Sequence, residues 1–486
     1  AFPELDPALG ETYEQMETLS MTFETLTRDV HGGQVVPWLA SEFNAEEGGR
    51  RFRFRLRPGV RFHDGRRLTS RDVRFSFERL LQDSRSPVRH MLSSVRGAES
   101  VIRGEASELE GFRILSPAEF VLELEKPIAF FPVLLSYTAL SILPEGTGRV
   151  GTSWQDRCVG TGPFRVVGFE PGRRLELERN PFYWREGFPK SEGLIFHFGA
   201  APEQIRDEFL AGRYSVASDL QPNDAEAFRQ NPFYAPNYRE VPRLTTYVIA
   251  FNAHRGVFAD SGKRKDLSGS IDVGEIVRRT LGRIAVPATG VIPPGLLGAE
   301  SSDSARRQKV RTSTLSEQHT LIRKPVELAA VVHPIFFGEF SAFYEELSNA
   351  FRDVGFAIRR SHGESMTEFL NAVARGEADL FIGRWNADYP DADTFVYNLL
   401  HSQAGLLRKY VSSPELDRLA EQGRVELDPR VRHTIYRKVE EMLARESRLI
   451  PLFHDRLYRF ARPEVEGLVL GFGVPVVAYD ELRIRL

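Results

Sequence analysis

The sequence contains one cysteine, Cys158, in 486 residues. A single thiol cannot close an internal disulfide and cannot supply a multi-cysteine zinc site. Charge of one sign is also lacking: 64 Lys+Arg stand against 67 Asp+Glu, a net charge of −3. That balance gives no electrostatic ground for general nucleic-acid binding. No apolar run approaches the roughly 20 residues of a membrane-spanning helix. HExxH and GxSxG are absent, so neither the zinc-protease signature nor the nucleophile elbow is supported. Asp260-Ser261-Gly262-Lys263 has the look of a phosphate loop. It lacks the upstream glycine, and Arg264 stands where the hydroxyl residue belongs. No dense histidine cluster occurs, so neither a metal cage nor a cofactor is expected.

What is present describes a water-soluble globular chain, with 42% hydrophobic and 27% charged residues. Its length calls for two or three domains. Aromatics reach 11%, led by 35 Phe, which predicts a large Phe-rich core, with an aromatic-lined pocket as the functional alternative. The chain opens Ala1-Phe2-Pro3 with no initiator Met and no signal-like apolar segment. A signal peptide is therefore expected to have been removed already; the alternative is a domain cut from a longer protein.

Leu19, Phe23 and Leu26 are spaced for an amphipathic helix. Residues 50–57, RRFRFRLR, alternate with a period of two and predict a strand with one apolar and one cationic face. That cationic face could be a nucleic-acid patch; a solvated strand face is the plainer reading. Val60 to Asp64 predicts a second short strand ending in an Asp64-Gly65 turn, which speaks against a His63–Asp64 acid–base pair. Thr69 begins a capped helix carrying Val73, Phe77 and Leu80. Paired strands are expected over 112–124 and again over 164–179. The stretch 256–324 is the least regular. From Val326 the pattern becomes strand, helix, strand, helix, strand up to Gly383, a parallel α/β unit. Helices follow near 414–424 and 429–446, the latter with Val431, Ile435, Val439 and Met442 on one stripe. His197, His333 and His454 are isolated and read as packed histidines rather than ligands.

Directly after the last parallel strand comes Arg384-Trp385-Asn386-Ala387-Asp388-Tyr389-Pro390-Asp391-Ala392-Asp393-Thr394-Phe395. Ligands of open α/β sheets collect beyond the carboxyl ends of strands. Trp385 and Tyr389 offer apolar area, and a carboxylate can hold a cationic amine by a charge-assisted hydrogen bond. The competing reading is an acidic turn in which Asp393 caps the next helix.

Several segments in order resemble the family 5 extracytoplasmic solute-binding proteins, the peptide-, dipeptide- and nickel-type receptors of ABC importers. They are Leu5-Asp6-Pro7, VVPWLASEF (35–43), FRFRLRPGVRFHDGRRLTSRDVRFSFERLL (52–81), VGTGPFRVVGFEPG (159–172), Asn180-Pro181-Phe182-Tyr183-Trp184, Val248 to Asn252, VIPPGLLG (291–298) and WNADYPDADTF (385–395). The resemblance implies an α/β, bilobed periplasmic-binding-protein-like fold of type II, with mixed sheets, a hinge and an extra β-rich domain. Lobe I would be discontinuous, over 1–43, 159–252 and 454–486. Domain II would be the β-rich insertion 44–158, and lobe III would be 253–453. Asp388 would pair with a ligand α-amino group, with Trp385, Asn386 and Tyr389 beside it. Departures from the family pattern lie in the 264–280 helix, interrupted by Gly269 and Gly274, and in 301–324, which lacks an Ala/Leu-rich helix.

The expected function is therefore binding without catalysis. A peptide or similar amine-bearing small molecule would be held in an interlobe cleft by hinge closure, for delivery to ABC permease subunits. The chain would be a monomer outside the cytoplasm, with no nucleic-acid partner and only peripheral membrane association. The alternative is the solute-sensing domain of a larger cytoplasmic regulator. A paired-carboxylate hydrolase would need a second carboxylate flanking the bond near Asp388.

Overall fold

The computed structural model describes residues 4–10, 12–31, 34–151, 158–299, 325–471, 473 and 475–485. The departure expected in 301–324 lies outside the described residues. The chain forms two compact units, Ala1–Val241 with Tyr458–Leu486, and Pro242–Leu457.

In the first unit, the opening Leu5-Asp6-Pro7 is fixed by one buried carboxylate. Asp6 accepts from the Ala8 amide at 3.0 Å, from the Gly151 amide at 2.8 Å and from Arg79 Nη2 at 2.6 Å. The first helix, Tyr13–Leu19, is shorter than its apolar spacing predicts. Ser20 Oγ donates to the Glu17 carbonyl at 2.6 Å where the helix stops. Phe23 and Leu26 are buried from the non-helical stretch that follows it. Strands β1 (Thr27–His31) and β2 (Gln34–Pro37) form a hairpin. Next come β3 (Ala40–Glu46), β4 (Arg51–Leu56), β5 (Phe112–Ser116) and β6 (Glu119–Glu123), an antiparallel sheet in the order β3-β4-β6-β5.

Strand β4 carries the RFRFRL alternation, and its Phe52, Phe54 and Leu56 are buried. Phe54 stacks on Phe120 at 5.2 Å, and Phe120 on Phe112 at 4.8 Å. The cationic face is neutralised by its neighbours. Arg53 bridges Glu46 at 2.9 Å and Glu119 at 3.0 Å, Arg51 meets Glu46 at 3.2 Å, and Arg55 meets Glu42 at 3.3 Å. Such exposed pairs stabilise little individually. Together they remove the positive field that a nucleic-acid patch would need.

Residues 60–64 make no strand, only an isolated bridge between Arg61 and Arg67. The backbone there is drawn to the Gly160-Thr161-Gly162 segment, as His63 N–H donates to the Gly160 carbonyl at 2.8 Å. The His63 ring accepts from Gly160 N–H at Nδ1 (3.2 Å) and meets the Gly162 carbonyl at Nε2 (3.1 Å). The glycines are required by close backbone approach: a Cβ on Gly160 would sit 2.0 Å from the Thr22 carbonyl oxygen. The helix Ser70–Gln82 starts as expected, with the Asp72 carboxylate accepting from Thr69 N–H at 2.7 Å.

The Pro37-Trp38 and Phe182-Tyr183-Trp184 segments close around Glu24. Its carboxylate accepts from Trp38 Nε1 (2.7 Å), Thr161 Oγ1 (2.8 Å), Trp184 Nε1 (3.1 Å) and the Tyr183 hydroxyl (3.1 Å). Complete burial pushes its pKa up to about 7, against the pull of those four donors. Strands β7 (Phe164–Glu170), β8 (Arg174–Arg179) and β9 (Gly193–His197) form an antiparallel sheet in that order. Short β10 (Val216–Ala217) pairs with Ala461 and Phe460, and β11 (Tyr238–Pro242) carries the chain out of the unit.

The second unit is built on β12 (Thr245–Phe251), β13 (Ala285–Pro287), β14 (Val326–Val332), β15 (Phe356–Arg360), β16 (Leu380–Asn386) and β17 (Leu449–Ala461). The strand order is β17-β12-β16-β14-β15, with β13 also on β17. Strand β14 runs parallel to both β15 and β16, which is the strand–helix alternation legible from Val326 onward. Strand β12 is antiparallel to β16 over its whole length, and all seven of its residues are buried. This pairing places Val248 to Asn252 inside the second unit. Along the chain the two compact units meet at 241/242 and 457/458.

Two further expectations change. The 264–280 region is two helices, Ser261–Ser270 and Val273–Thr280, with Gly269 and Gly274 inside them. The break falls at Ile271-Asp272, where Asp272 caps the second helix by accepting from Glu275 N–H at 2.9 Å. On the last helix, Pro429–Glu446, the buried face is Arg432, Tyr436, Val439, Glu440, Met442 and Leu443, while Val431 is exposed. Val439 and Met442 of the expected stripe lie on this face and Ile435 is partly buried beside it, while Arg432 and Glu440 escape an apolar count because they are charged. Glu440 accepts from the amides of Ile292 (2.7 Å) and Val291 (3.1 Å), docking the VIPPGLLG loop.

His454 on β17 is buried, with Nδ1 2.9 Å from Thr246 Oγ1 and 3.0 Å from the Thr245 carbonyl. Burial lowers its pKa from 6.5 to about 4. The unfolded chain therefore takes up this proton first as pH falls. The stability His454 supports is intact above pH 6.5 and is lost as pH drops toward 4. The variant His454→Gln is expected to lose about 3 kcal/mol less stability than the parent between pH 7 and pH 4. Denaturant titrations at both pH values check this, and parallel losses in the two proteins would contradict it.

Candidate functional site

The WNADYPDADTF segment leaves the carboxyl end of β16 and enters the helix Asp393–Leu400. Thr394, in the first turn, fastens it. Its Oγ1 accepts from Trp385 Nε1 at 3.2 Å and from Asp388 N–H at 3.3 Å. Asn386 is exposed, and its Oδ1 accepts from Thr245 Oγ1 on β12 at 2.9 Å. Trp385 is half-buried against the core cluster that includes Phe395, Leu399 and Tyr436.

The three carboxylates of the loop have different surroundings. Asp391 and Asp393 are buried at 4% and 0% exposure. Asp391 forms a bidentate pair with Arg432, both contacts at 2.6 Å, and Asp393 accepts from Arg424 at 2.9 Å. Burial raises the pKa of Asp393, opposed by the charge of Arg424. Burial alone would lower the Arg432 pKa; the Asp391 charge beside it reverses this, and the net direction is up. The Arg432 guanidinium also donates to the Tyr436 hydroxyl at 2.8 Å and to the Gly423 carbonyl at 2.8 Å.

Asp388 differs. It is half-buried, and its Oδ2 accepts from Asn398 Nδ2 at 3.1 Å. The Asn398 amide, in the helix Asp393–Leu400, helps to orient this carboxylate. Tyr389 is the expected ligand residue that the structure turns inward. Its ring is buried, and its hydroxyl donates to Asp393 Oδ2 at 2.7 Å. Its position suits holding the loop from beneath rather than touching a ligand.

The structure thus brings Trp385, Asn386 and Asp388 together on one short segment and sets a buried ionic network under them. Arg424, Arg432, Tyr436, Thr394 and Asn398 were not legible as partners of the loop. The first three lie 31 or more positions away in sequence, and no local spacing reports such pairing. Among the described residues, no group of three or more His, Cys, Asp or Glu side chains is placed to hold a metal. No helix among them is long and apolar enough to cross a membrane.

The sequence profile of the bacterial extracellular solute-binding proteins, family 5 Middle, matches residues 34–406. The chain belongs to this family. It is a solute-binding protein and not an enzyme. The periplasmic murein peptide-binding protein MppA of Escherichia coli is 22% identical over 484 residues, covering 95% of this chain and 88% of that one. The unliganded open form of MppA superposes with a TM-score of 0.84 at 21% identity, over 99% of this chain and 95% of that chain. The OppA of Haemophilus influenzae, solved with the peptide RPPGFSPFR, gives a TM-score of 0.71 at 21% identity, over 100% and 98% of the two chains. These likenesses carry the family 5 fold across the whole chain.

Proposed function

We propose that this family 5 protein is the extracytoplasmic receptor of an ABC importer and binds a peptide by its α-ammonium group. Asp388 is the anchor, with Trp385 and Asn386 beside it and Tyr389 holding the loop from below. The observation that carries the reading is the contrast among the three loop carboxylates. Two are buried against arginines, while Asp388 is half-buried at the loop surface, with Asn398 as one of its hydrogen-bond donors. A half-desolvated carboxylate favours a cationic hydrogen-bonding partner. The relatives support the ligand class, since MppA is named for a murein peptide and OppA was solved with a nonapeptide. They also support the location, because MppA is named as periplasmic. The partner would be the permease subunits of the importer, met by a monomeric receptor. Within the first unit, residues 44–158 would form the β-rich domain around β4–β6. No observation favours the regulatory-sensor alternative.

Native mass spectrometry of the purified protein would identify a co-purifying ligand, and calorimetry tests the anchor. A tripeptide with a free amino terminus is expected to bind roughly 10- to 100-fold more tightly than its N-acetylated form, the value of a hydrogen bond to a charged group. Equal affinities would reject the ammonium reading.

A further inference from the structure

The helix Asp393–Leu400 carries two side chains that fasten the ligand loop, Thr394 and Asn398. It stops at His401, which is buried at 4% exposure. The turn that follows has no slack. Gly405 N–H donates to the His401 carbonyl at 2.7 Å, and a Cβ on Gly405 would sit 2.7 Å from the His401 backbone nitrogen and oxygen. The turn then folds back on the helix, where Leu406 N–H donates to the Asn398 carbonyl at 2.9 Å and Leu407 N–H to the Leu399 carbonyl at 2.8 Å. A displacement of residues 401–406 is therefore passed to the backbone of Asn398.

The His401 ring sits inside this turn. Gln403 N–H donates to its Nδ1 at 3.2 Å. A backbone amide can only donate, so Nδ1 is the bare nitrogen and the neutral ring carries its proton on Nε2. Nε2 is buried and meets no hydrogen-bond partner. It faces two carboxylates of the helix Pro414–Val425, Glu421 Oε1 at 3.5 Å and Asp417 Oδ1 at 4.0 Å. Asp417 is already engaged by the Ser402 amide at 2.9 Å, while Glu421 is exposed and has room to move. The face of the His401 ring stacks on Tyr397 at 4.4 Å, and Arg424 rests over the same Tyr397 ring at 3.9 Å.

Charging this ring sets its neighbours against one another. The two carboxylates and the carbonyl end of the helix favour an imidazolium. Burial and the Arg424 charge oppose it. A proton on Nδ1 also removes the lone pair that the Gln403 amide uses, and leaves two donors facing each other. The charged ring cannot keep the observed turn: it releases Gln403 and draws Nε2 toward Glu421. Histidine is the side chain whose charge ordinarily changes between pH 5 and 8.

We propose that His401 is a pH-sensitive stop on the helix that orients Asp388. On acidification it takes up a proton, gives up the Gln403 amide, closes on Glu421 and Asp417, and through Leu406 loosens the hold of Asn398 on Asp388, so that ligand affinity falls. Only the last step rests on Asp388 being the ligand anchor.

The test uses the full chain at pH 7.5 and pH 5.5. The reference that does not titrate is His401→Asn, whose Oδ1 replaces Nδ1 as acceptor for Gln403. Without ligand, the ring-nitrogen resonances of His401, assigned by their loss in His401→Asn or their displacement in Glu421→Gln, should pass from the Nε2–H tautomer to the doubly protonated ring. Hydrogen-exchange protection over 401–407 should fall about fivefold or more in the parent across that interval and stay level in His401→Asn, the low end of a typical coupling. With a free-amine tripeptide, calorimetry should show affinity falling about fivefold or more in the parent relative to His401→Asn. A ring that stays neutral to pH 5.5, protection unchanged over 401–407, or parallel affinity profiles in the two proteins would each overturn the proposal. If no tripeptide binds at either pH, the ammonium reading fails and the exchange data alone decide the switch. If His401→Asn does not fold, Glu421→Gln decides: ring titration and loss of protection should move together to lower pH, and movement of one without the other would refute the switch.

Discussion

Asp388→Ala is expected to lose essentially all measurable affinity for amine-bearing peptides while keeping the thermal midpoint of the parent. Removing one partner of a desolvated charge pair costs about 2–5 kcal/mol, roughly 30- to several-thousand-fold in Kd. The fold should not register the change. Asp388 is half-buried rather than a core side chain, so its loss creates no core cavity of the kind that unfolds a protein. Asp388→Asn separates charge from shape. It keeps an oxygen for the Asn398 amide and removes only the negative charge, so it should lose nearly as much affinity as alanine. Calorimetry with a free-amine tripeptide, next to a denaturant titration of each variant, reads both quantities. Parent-like affinity in Asp388→Asn would show that the carboxylate charge is not the anchor.

The site was legible in sequence to the extent that it is local. A parallel strand followed by an aromatic and acidic loop places a ligand loop at a strand end, and β16 with Trp385, Asn386 and Asp388 is arranged that way. Strand alternation on β4 was legible for the same reason, because a period of two needs no distant partner. Most of the failures were partnerships at long range. Asp391 and Asp393 look like Asp388 until Arg432 and Arg424 are brought to them. Tyr389 looks like a surface aromatic until Asp393 takes its hydroxyl. The buried face of Pro429–Glu446 was displaced toward Arg432 and Glu440, because charged residues are buried wherever a partner meets them. The partners of β12 were not legible either, because sheet membership is set by pairing with β16 and β17, not by the composition of β12 itself.

The ionic network under the loop leads to the largest expected loss of stability. Arg432→Met leaves the Asp391 carboxylate, at 4% exposure, without its bidentate partner. An uncompensated buried charge of this kind costs about 3–5 kcal/mol. Asp391→Leu does the converse, stranding a guanidinium that also serves Tyr436 and the Gly423 carbonyl. Combining the two removes both charges and replaces them with apolar volume. The double variant should therefore be much closer to the parent than either single variant, with a coupling energy of several kcal/mol. Urea titrations of the four proteins close the cycle. Additive losses would mean that the pair is not a coupled buried unit. The same cycle also bears on binding. Since Asp393 N–H donates to Asp391 Oδ1 at 2.8 Å at the start of the helix that carries Asn398, loosening Asp391 shifts the helix that orients Asp388. Peptide affinity should fall in the folded fraction of each single variant and recover in part in the double.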